Sequence, residues 1–275
     1  MYQISLIIYL NFNIMRKTFR SKDNKDYWKQ RWQSIETDEV MFNETIYPLK
    51  YAIKAIKYND KSQKILEAGC GAGRILNYFH YKNYNIIGID FIEDAIKKIN
   101  KKDIKIKAKT ENILKTSFEN NSFDTILAFG LYHNFELSDL NKAFNETKRI
   151  LKINGILCFS FRADNLQNLI LDKIKNTKNQ DQNKQFHKLN LKEKEILNLL
   201  KNHNFKILEK EYVINMPLLF HFKIFRSKEQ KKFNEHLARR DGYTLSLFGK
   251  IIHKLLLCIF PKQYCNIYLI FCKKK

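Results

Sequence analysis

Short apolar runs alternate with segments of helical periodicity over most of this 275-residue chain. The apolar runs predict strands at Lys64–Glu67, Asn85–Asp90, Ile104–Ala108, Phe123–Phe129, Gly155–Phe161, Phe205–Ile214 and Tyr264–Cys272. The helical patterns lie at Asp26–Trp32, Glu44–Lys57, Arg74–Tyr81, Ile92–Asn100, Leu137–Lys152 and Leu191–Asn202. Strands that are apolar throughout and separated by helices are typical of a doubly wound, mainly parallel sheet. We therefore expect an α/β fold.

The predicted elements divide the chain into four parts. These are residues 1–25, an N-terminal extension; residues 26–215, a core domain with an insertion at 163–188 that is partly a loop; residues 216–262, a helical insertion or lid; and residues 263–275, the last core strand with a basic tail. Met1–Ile14 is apolar and uncharged but too short to span a bilayer. Three explanations stay open for it: a translation start at Met15, a disordered extension, or a segment packed on the protein or on a membrane.

The chain is strongly basic, with 50 Lys and Arg residues against 28 Asp and Glu residues and a formal net charge of +22. Such a charge favours nucleic acid or anionic membranes as partners. However, only 9 of the basic residues are arginines, and the abundance of Lys, Ile and Asn is typical of an A/T-rich coding sequence. Phosphate-binding proteins use the bidentate arginine fork more than lysine. We therefore expect solvated lysine faces, such as Lys97–Lys109, and nucleic acid is the less favoured partner.

The cysteines and histidines show no spacing typical of a metal site. None of the five cysteines belongs to a C-x-x-C pair, and the seven histidines include no H-E-x-x-H motif. We expect no metal, and we expect reduced thiols of the kind found in the cytoplasm.

The clearest chemical signal is the segment Lys64–Arg74, in which an apolar strand runs into the turn Gly69–Gly73 and then into a helix. Asp90 ends the next predicted strand. A glycine turn lets a ligand approach the backbone closely, and the start of a helix favours negative charge. A carboxylate at the tip of the neighbouring strand can accept hydrogen bonds from both ribose hydroxyls. The pattern predicts a nucleoside site at the carboxyl ends of parallel strands.

The residue at the third glycine position decides between classes of nucleoside site. The dinucleotide fingerprint G-x-G-x-x-G needs a glycine where this chain has Arg74, and no Gly-Lys-Ser/Thr of a P-loop follows. The pattern acidic-x-G-x-G-x-G, led by Glu67, resembles motif I of the class I S-adenosylmethionine-dependent methyltransferases, in particular the methyltransferase-11/25-like domains. Asn121–Asp124 and Arg149–Gly155 resemble two further motifs of that family, in the same order. The resemblance implies a Rossmann-like sheet of seven strands, mostly parallel with an antiparallel last strand, plus helical additions.

The same resemblance implies a role for the residues around the glycine turn. The backbones of Gly69 and Gly71 would line the methionine part of S-adenosylmethionine, and Glu67 would bind its ammonium group. Asp90 would accept the ribose hydroxyls, and Phe91 would pack on the adenine. The implied cofactor contacts are Glu67, Ala68, Gly69, Cys70, Gly71, Gly73, Asp90, Phe91, Asn112, Ile113 and Phe129. Structural alternatives stay open: the glycines permit a tight turn, Asp90 caps a helix, and Phe91 packs in the core.

Asn112 departs from the family pattern. Counting back from Phe118 places Asn112 where the family usually has an aspartate that faces the adenine amine. Its side-chain oxygen can still accept from that amine, but without charge assistance. We therefore expect weaker selectivity for adenine, with the amide of Ile113 as a donor to the ring.

The turn after the fourth core strand, Phe129–Asn134, is where the family places acceptor chemistry. It lacks both the N/D-P-P-Y/F pattern of amide-nitrogen methylation and the Pro-Cys or Thr-Cys nucleophile of pyrimidine methylation. These differences argue against most kinds of nucleic-acid methylation. His133 is the candidate catalytic residue, as a base or as a donor that orients the acceptor. A role in the pocket wall and a purely structural role stay open.

Three further features are candidates for acceptor binding. The aromatic segment Tyr27–Trp32 either folds over the cofactor as a lid or packs on the outer helices. Arg162 either holds an anionic acceptor or lies on the surface. The insertion Met216–Leu257 has an apolar helical stripe beside lysines, which caps the core, covers a hydrophobic acceptor or contacts a membrane.

We therefore predict an enzyme that transfers a methyl group from S-adenosylmethionine to a small-molecule, sugar-linked or lipid-linked acceptor. O-methylation is favoured because the amide-nitrogen motif is absent from the sequence. An RNA or protein methyltransferase and a catalytically silent S-adenosylmethionine-binding scaffold are the alternatives. The expected location is the cytoplasm, including a peripheral position at the inner face of the membrane. The sequence indicates no oligomeric state.

Overall fold

The computed structural model of the protein describes residues 15–34, 41–59, 63–176 and 184–275, so the expectations for Met1–Ile14 lie outside the described residues. A seven-stranded sheet forms the centre of the fold. Its strands are β2 (Ile65–Ala68), β3 (Ile86–Asp90), β4 (Ala108–Thr110), β5 (Phe123–Ala128), β6 (Leu151–Arg162), β8 (Phe205–Val213) and β9 (Ile267–Lys274). A separate two-stranded antiparallel sheet pairs β1 (Arg16–Arg20) with β7 (Gln185–Asn190).

Helices cover both faces of the large sheet. They are α1 (Asn24–Ser34), α2 (Leu49–Ile56), α3 (Arg74–Tyr81), α4 (Glu93–Lys102), α5 (Leu137–Ile150), α6 (Leu166–Asn176), α7 (Glu193–Asn202), α8 (Glu235–Asp241), α9 (Leu247–Ile259) and α10 (Pro261–Tyr264). Within the described ranges, no helix has the length and apolar character needed to cross a membrane.

The strand order of the large sheet is β4-β3-β2-β5-β6-β9-β8. The strands from β4 to β6 pair in parallel, whereas β9 runs antiparallel to both of its neighbours. This order confirms the predicted α/β fold with an antiparallel last strand. Successive strands are added outwards from β2 in one direction and from β5 in the other, so the order reverses between these two strands. In such sheets a ligand binds in the crevice at the carboxyl ends of the strands at the reversal point.

The core explains why the central strands are apolar at every position. Adjacent residues of β2 enter different clusters: Leu66 packs with Phe144 of α5, and Ile65 packs with Leu76 of α3. All four of these side chains are fully buried. A strand covered on both faces cannot show the alternation of apolar and polar residues that marks a half-exposed strand.

One local prediction was wrong. The strand predicted at Ile104–Ala108 begins only at Ala108, and Ile104 is 80% exposed. The reason is a turn in which the Asp103 carboxylate accepts a hydrogen bond from the amide of Lys105 (2.9 Å), which separates α4 from the strand. In its described part, the insertion at 163–188 contains α6 and the first residues of β7, and the expectation that it is partly a loop stays a prediction. The four-part division of the chain stays a prediction.

Candidate functional site

The glycine turn joins β2 to α3 and requires glycine for two reasons. Gly69 and Gly71 have positive φ angles, of 72° and 53°, which side chains other than glycine rarely adopt. A Cβ atom at Gly71 would also lie 2.4 Å from the ring of Trp32, so any side chain there would displace that ring. Trp32, on α1, therefore lies directly on the turn.

Asp90 ends β3 and fixes the shape of the turn. Its Oδ2 accepts a hydrogen bond from the amide of Gly71 (2.9 Å), and its Oδ1 accepts one from the amide of Ile92 (3.0 Å). The carboxylate is buried, which raises its pKa. Each carboxylate oxygen has a second lone pair, so Asp90 can also accept hydrogen bonds from a ligand.

Glu67 lies in the same cleft with one oxygen atom that makes no hydrogen bond. The residue is 5% exposed, and its Oε2 has no partner among the described residues. Burial raises the pKa of Glu67 to about 8, and the nearby charge of Asp90 adds to this effect. A buried carboxyl group of this kind is costly to ionise unless a cation lies beside it. The site therefore has the chemistry to bind a positively charged group.

Two connected cavities lie over the turn, with volumes of about 220 and 290 Å³. We call them together the cleft. They have these lining residues in common: Asn24, Gly69, Asp90, Phe91, Leu131, Asn134 and Phe135. The cleft thus runs along the carboxyl ends of β2, β3 and β5, where the order of the strands reverses.

Comparison with known sequences identifies this arrangement. Residues 66–159 match the sequence model of a family described as a methyltransferase domain. This part of the chain is therefore similar to a methyltransferase domain. The matched segment holds the glycine turn, Asp90 and the strands β3 to β5.

Solved structures share the fold of this chain at low sequence identity. An S-adenosylmethionine-dependent methyltransferase from Archaeoglobus fulgidus is 17% identical with a TM-score of 0.56, over 91% of this chain and 95% of that one. Magnesium protoporphyrin IX methyltransferase from Synechocystis, solved with bound SAH, is 12% identical with a TM-score of 0.52, over 90% and 83%. A Haloferax volcanii protein in complex with the Trm112 methyltransferase activator is 12% identical with a TM-score of 0.59, over 92% and 99%. At these identities the likeness shows the fold alone. No curated protein matches the chain by sequence.

The fold brings most of the predicted cofactor contacts into the cleft. The residues that line it are Glu67, Gly69, Cys70, Asp90, Phe91, Asn112, Ile113 and Phe129. Three predicted contacts do not line it. Ala68 is fully buried in the core, Gly71 is covered by Trp32, and Gly73 packs against Ile99.

Asn112 and Phe91 lie at the outer end of the cleft. The Oδ1 of Asn112 accepts a hydrogen bond from the amide of Leu114 (3.0 Å), which orients the side chain within its own turn. Phe91 is 39% exposed, so its ring presents an open face to the cleft. Both positions suit contact with a planar ring.

His133 lies apart from the cleft. It is 8% exposed, its ring packs edge-on against Phe161 (centroids 6.1 Å apart), and it lines neither cavity. Burial lowers its pKa, so the ring is neutral at pH 7. Arg162 also lies outside the cavities, paired with Asp172 (2.7 Å). The structure does not bring either residue to the glycine turn.

A third and larger cavity, of about 710 Å³, adjoins the cleft, and we call it the basic chamber. It lies between α1, α2, the end of β8 and the insertion that carries α8 and α9. The residues that line both the cleft and the chamber are Trp28, Trp32, Pro48, Arg74 and Arg239. The described charged residues of the chamber wall are Arg31, Lys50, Arg74, Arg239 and Lys250, with Glu235 and Asp241. The wall therefore favours a ligand with negative charge.

Contacts from two sides hold α1 over the turn. An ion pair joins Arg31 of α1 to Glu235 of α8. On the other side, the Nζ of Lys98 donates to the carbonyl oxygens of Trp32 (2.7 Å) and Gln33 (2.9 Å). The sequence suggested a lid at Tyr27–Trp32, but it gave no sign of the partner helix α8, because nothing local to either segment indicates that pair.

Proposed function

We propose that this protein transfers the methyl group of S-adenosylmethionine from the cleft to an acceptor in the basic chamber. The observation that carries the proposal is the shared wall, in which Trp32 and Arg74 line both spaces. A methyl donor at the glycine turn is then adjacent to the chamber. Holding two reactants in adjacent, dry positions is the main contribution that a protein can make to this type of transfer.

The cleft residues fit the cofactor part by part. The unpartnered Oε2 of Glu67 suits the ammonium group of the methionine part. Asp90 accepts the ribose hydroxyls with its remaining lone pairs, while Phe91 and Asn112 contact the adenine. Ile113 and Phe129 complete the apolar wall. When bound, S-adenosylmethionine supplies an electrophilic methyl group attached to a positively charged sulfur.

The chamber supports a small-molecule, sugar-linked or lipid-linked acceptor that carries a negative charge. Its described wall has five basic and two acidic side chains, and the rings of Trp28, Tyr47 and Tyr243 provide apolar surface. An anion enters such a space more readily than a cation does. The wall chemistry thus favours an acidic small molecule or the head of a larger conjugate.

We further propose that the acceptor atom is a hydroxyl oxygen and that His253 receives its proton. His253 lines the chamber, its Nδ1 lies 3.2 Å from the hydroxyl of Tyr264, and burial lowers its pKa. The ring is therefore neutral at pH 7 and able to accept a proton. His133, the candidate from the sequence, lies outside both spaces and is a less suitable base.

Titration calorimetry with S-adenosylmethionine tests the cofactor half of this proposal. We expect Asp90→Ala to weaken binding by about tenfold or more, because it removes the acceptor for the ribose hydroxyls and the anchor of the turn. The matched control is Lys101→Ala, an exposed residue on α4, which should bind as wild type does. Failure of the wild-type protein to bind millimolar cofactor would contradict the proposal.

The acceptor half is tested by the release of S-adenosylhomocysteine with panels of hydroxylated compounds. Carboxylated or phosphorylated compounds should be methylated, and their neutral analogues should have a higher KM. Substitution of Lys50 by Gln should raise KM for the acidic acceptors while leaving cofactor affinity unchanged, because Lys50 lines the chamber and not the cleft. Equal KM values for charged and neutral acceptors would argue against an anion site.

A further inference from the structure

Helix α9 presents an unusual amount of apolar surface to solvent. Leu247, Ile251, Leu255 and Ile259 are spaced four residues apart and are 80%, 60%, 55% and 62% exposed. Residues with this spacing lie on one face of a helix. Gly249 is the only residue of the helix that is fully buried. The outer face of α9 is therefore a continuous apolar stripe that no described part of the chain covers.

The stripe continues onto the turn Phe222–Phe225. The ring of Phe248, which is 62% exposed, stacks on the ring of Phe225 with centroids 5.9 Å apart. The carbonyl oxygen of Phe225 accepts a hydrogen bond from the amide of Ser246 (2.8 Å), which fixes the turn to the start of α9. Phe222 and Ile224 of this turn are 50% and 76% exposed. We call the exposed stripe and this turn the α9 face.

The α9 face belongs to a strongly basic part of the chain. The insertion at 216–262 contains ten basic residues and three acidic residues, within a chain of net charge +22. On the helix, the exposed Lys254 borders the apolar stripe. Lys223 lies within the apolar turn. Apolar side chains bordered by lysines are the pattern of a helix that lies in the interface of an anionic membrane.

We propose that the α9 face docks this protein onto the surface of an anionic lipid bilayer. The helix has 13 residues, so it lies in the plane of the membrane and does not cross it. Its apolar side chains enter the boundary between headgroups and acyl chains. The lysine stems cover apolar surface while their ammonium groups contact lipid phosphates.

The opposite side of the same helix faces the interior of the protein. Lys250, His253 and Leu257 line the basic chamber, whereas Ile251 and Leu255 do not. Docking through the α9 face therefore brings the outer wall of the chamber to the membrane. A lipid-linked acceptor could then enter the chamber without leaving the bilayer. The docking itself does not depend on the proposed methyl transfer.

Vesicle flotation of the full chain tests the docking. The chain should float with vesicles that contain phosphatidylserine and much less with pure phosphatidylcholine. The double substitution Ile251→Glu and Leu255→Glu should reduce the partition coefficient by about tenfold or more, since it removes apolar contact and adds repulsion from the lipid. The matched control is Ile104→Glu with Ile153→Glu, at isoleucines that are 80% and 67% exposed elsewhere on the surface. This control carries the same added charge and should float as wild type does.

Cys258 provides an independent measurement of the contact. It lies on the outer side of α9 and is exposed, whereas the other four cysteines are buried. An environment-sensitive fluorophore on Cys258 should shift to the blue with anionic vesicles. The same fluorophore in a Cys258→Ser, Ile104→Cys variant should not shift. Cofactor affinity serves as the folding control for every variant, because none of these positions lines the cleft.

Three results would overturn the proposal. In the first, a chain that starts at Met15 no longer floats, whereas the two substitutions on α9 have no effect. Residues 1–14 would then be the anchor. The second is flotation only after removal of residues 1–14, which would make that segment the cover of the α9 face. The third is a dimer that Ile251→Glu dissociates, without any binding to vesicles, which would assign the face to a second copy of the chain.

Discussion

The affinity of this protein for its cofactor is expected to fall steeply as the pH is lowered from 7 to 6. The perturbed group is Glu67, whose pKa burial raises to about 8. A cationic ammonium group beside its unpartnered oxygen favours the ionised carboxylate. Bound cofactor therefore lowers the pKa of Glu67, and binding releases a proton. At lower pH this proton is harder to remove, so the dissociation constant rises.

The size of the effect follows from the fraction of Glu67 that is ionised before binding. With a pKa near 8, about 9% of the carboxyl groups are ionised at pH 7 and about 1% at pH 6. The dissociation constant should therefore rise by about ninefold over this one unit, which is about 1.3 kcal/mol. An α-amino group has a reference pKa of about 7.7 to 8.0, so the ammonium group of the ligand stays largely protonated in this range.

Titration calorimetry of S-adenosylmethionine at pH 6 and pH 7 measures the change in affinity. Repeating the pH 7 titration in buffers of different ionisation enthalpy counts the released protons, which should be about 0.9 per site. The control is Glu67→Gln, which has nearly the same shape and no titrating carboxyl group. Its affinity should vary by less than about twofold between the two pH values.

Two outcomes would refute this explanation. An equal affinity of the wild type at pH 6 and pH 7 would mean that Glu67 is already ionised or does not meet the ammonium group. A ninefold change that persists in Glu67→Gln would assign the proton to another group, and the buried Asp90, whose pKa is also raised, would be the next candidate.

The same structure makes three further predictions. Without cofactor, Glu67→Gln should raise the free energy of unfolding at pH 7 by up to about 3 kcal/mol. The reason is that a carboxyl group with a higher pKa in the folded than in the unfolded state destabilises the protein increasingly as the pH rises from the unfolded pKa to the folded pKa. Urea unfolding should show a smaller gain at pH 5 than at pH 7. Gly71→Ala should lower the free energy of unfolding by about 1 to 3 kcal/mol more than Gly130→Ala does, and it should alter tryptophan emission. Both glycines have positive φ angles, but only at Gly71 would a Cβ atom meet Trp32. Equal effects of the two substitutions would contradict the contact. His253→Gln should lower kcat by about a hundredfold with little change in cofactor affinity. The acid limb of the wild-type kcat profile should lie below the usual range of a histidine, since burial lowers the pKa of His253. An unchanged kcat would exclude it as the base.

The position of the glycine turn beside Asp90 and Glu67 could be predicted because its determinants are local. The glycine turn and Glu67 lie within one short segment, and Asp90 ends the next strand. Parallel pairing of β2 with β3 then brings these residues together without any further information. The predicted helix Arg74–Tyr81 agrees with α3, because its apolar residues form one buried face. Sequence patterns are informative where position along a strand fixes position in space.

The rest could not be predicted because it depends on contacts between distant segments. The pair Arg31–Glu235 joins residues 204 positions apart. The strand at Arg16–Arg20 pairs with Gln185–Asn190, and nothing in either segment indicates the partner. His133 was a reasonable candidate from its place after β5, but its side chain is buried against Phe161. Orientation of a side chain within a turn is set by packing that the sequence does not display.

Trp32 couples the two halves of the proposed site. Its ring lies on Gly71 at the cleft, and its helix is held by the Arg31–Glu235 pair at the chamber. Glu235 lines the chamber but not the cleft. We therefore expect a ligand or substitution that disturbs Glu235 to change cofactor affinity through α1, although it touches no predicted cofactor contact. Acceptor recognition and cofactor retention are then linked, and by thermodynamic reciprocity each ligand changes the affinity of the other by the same factor.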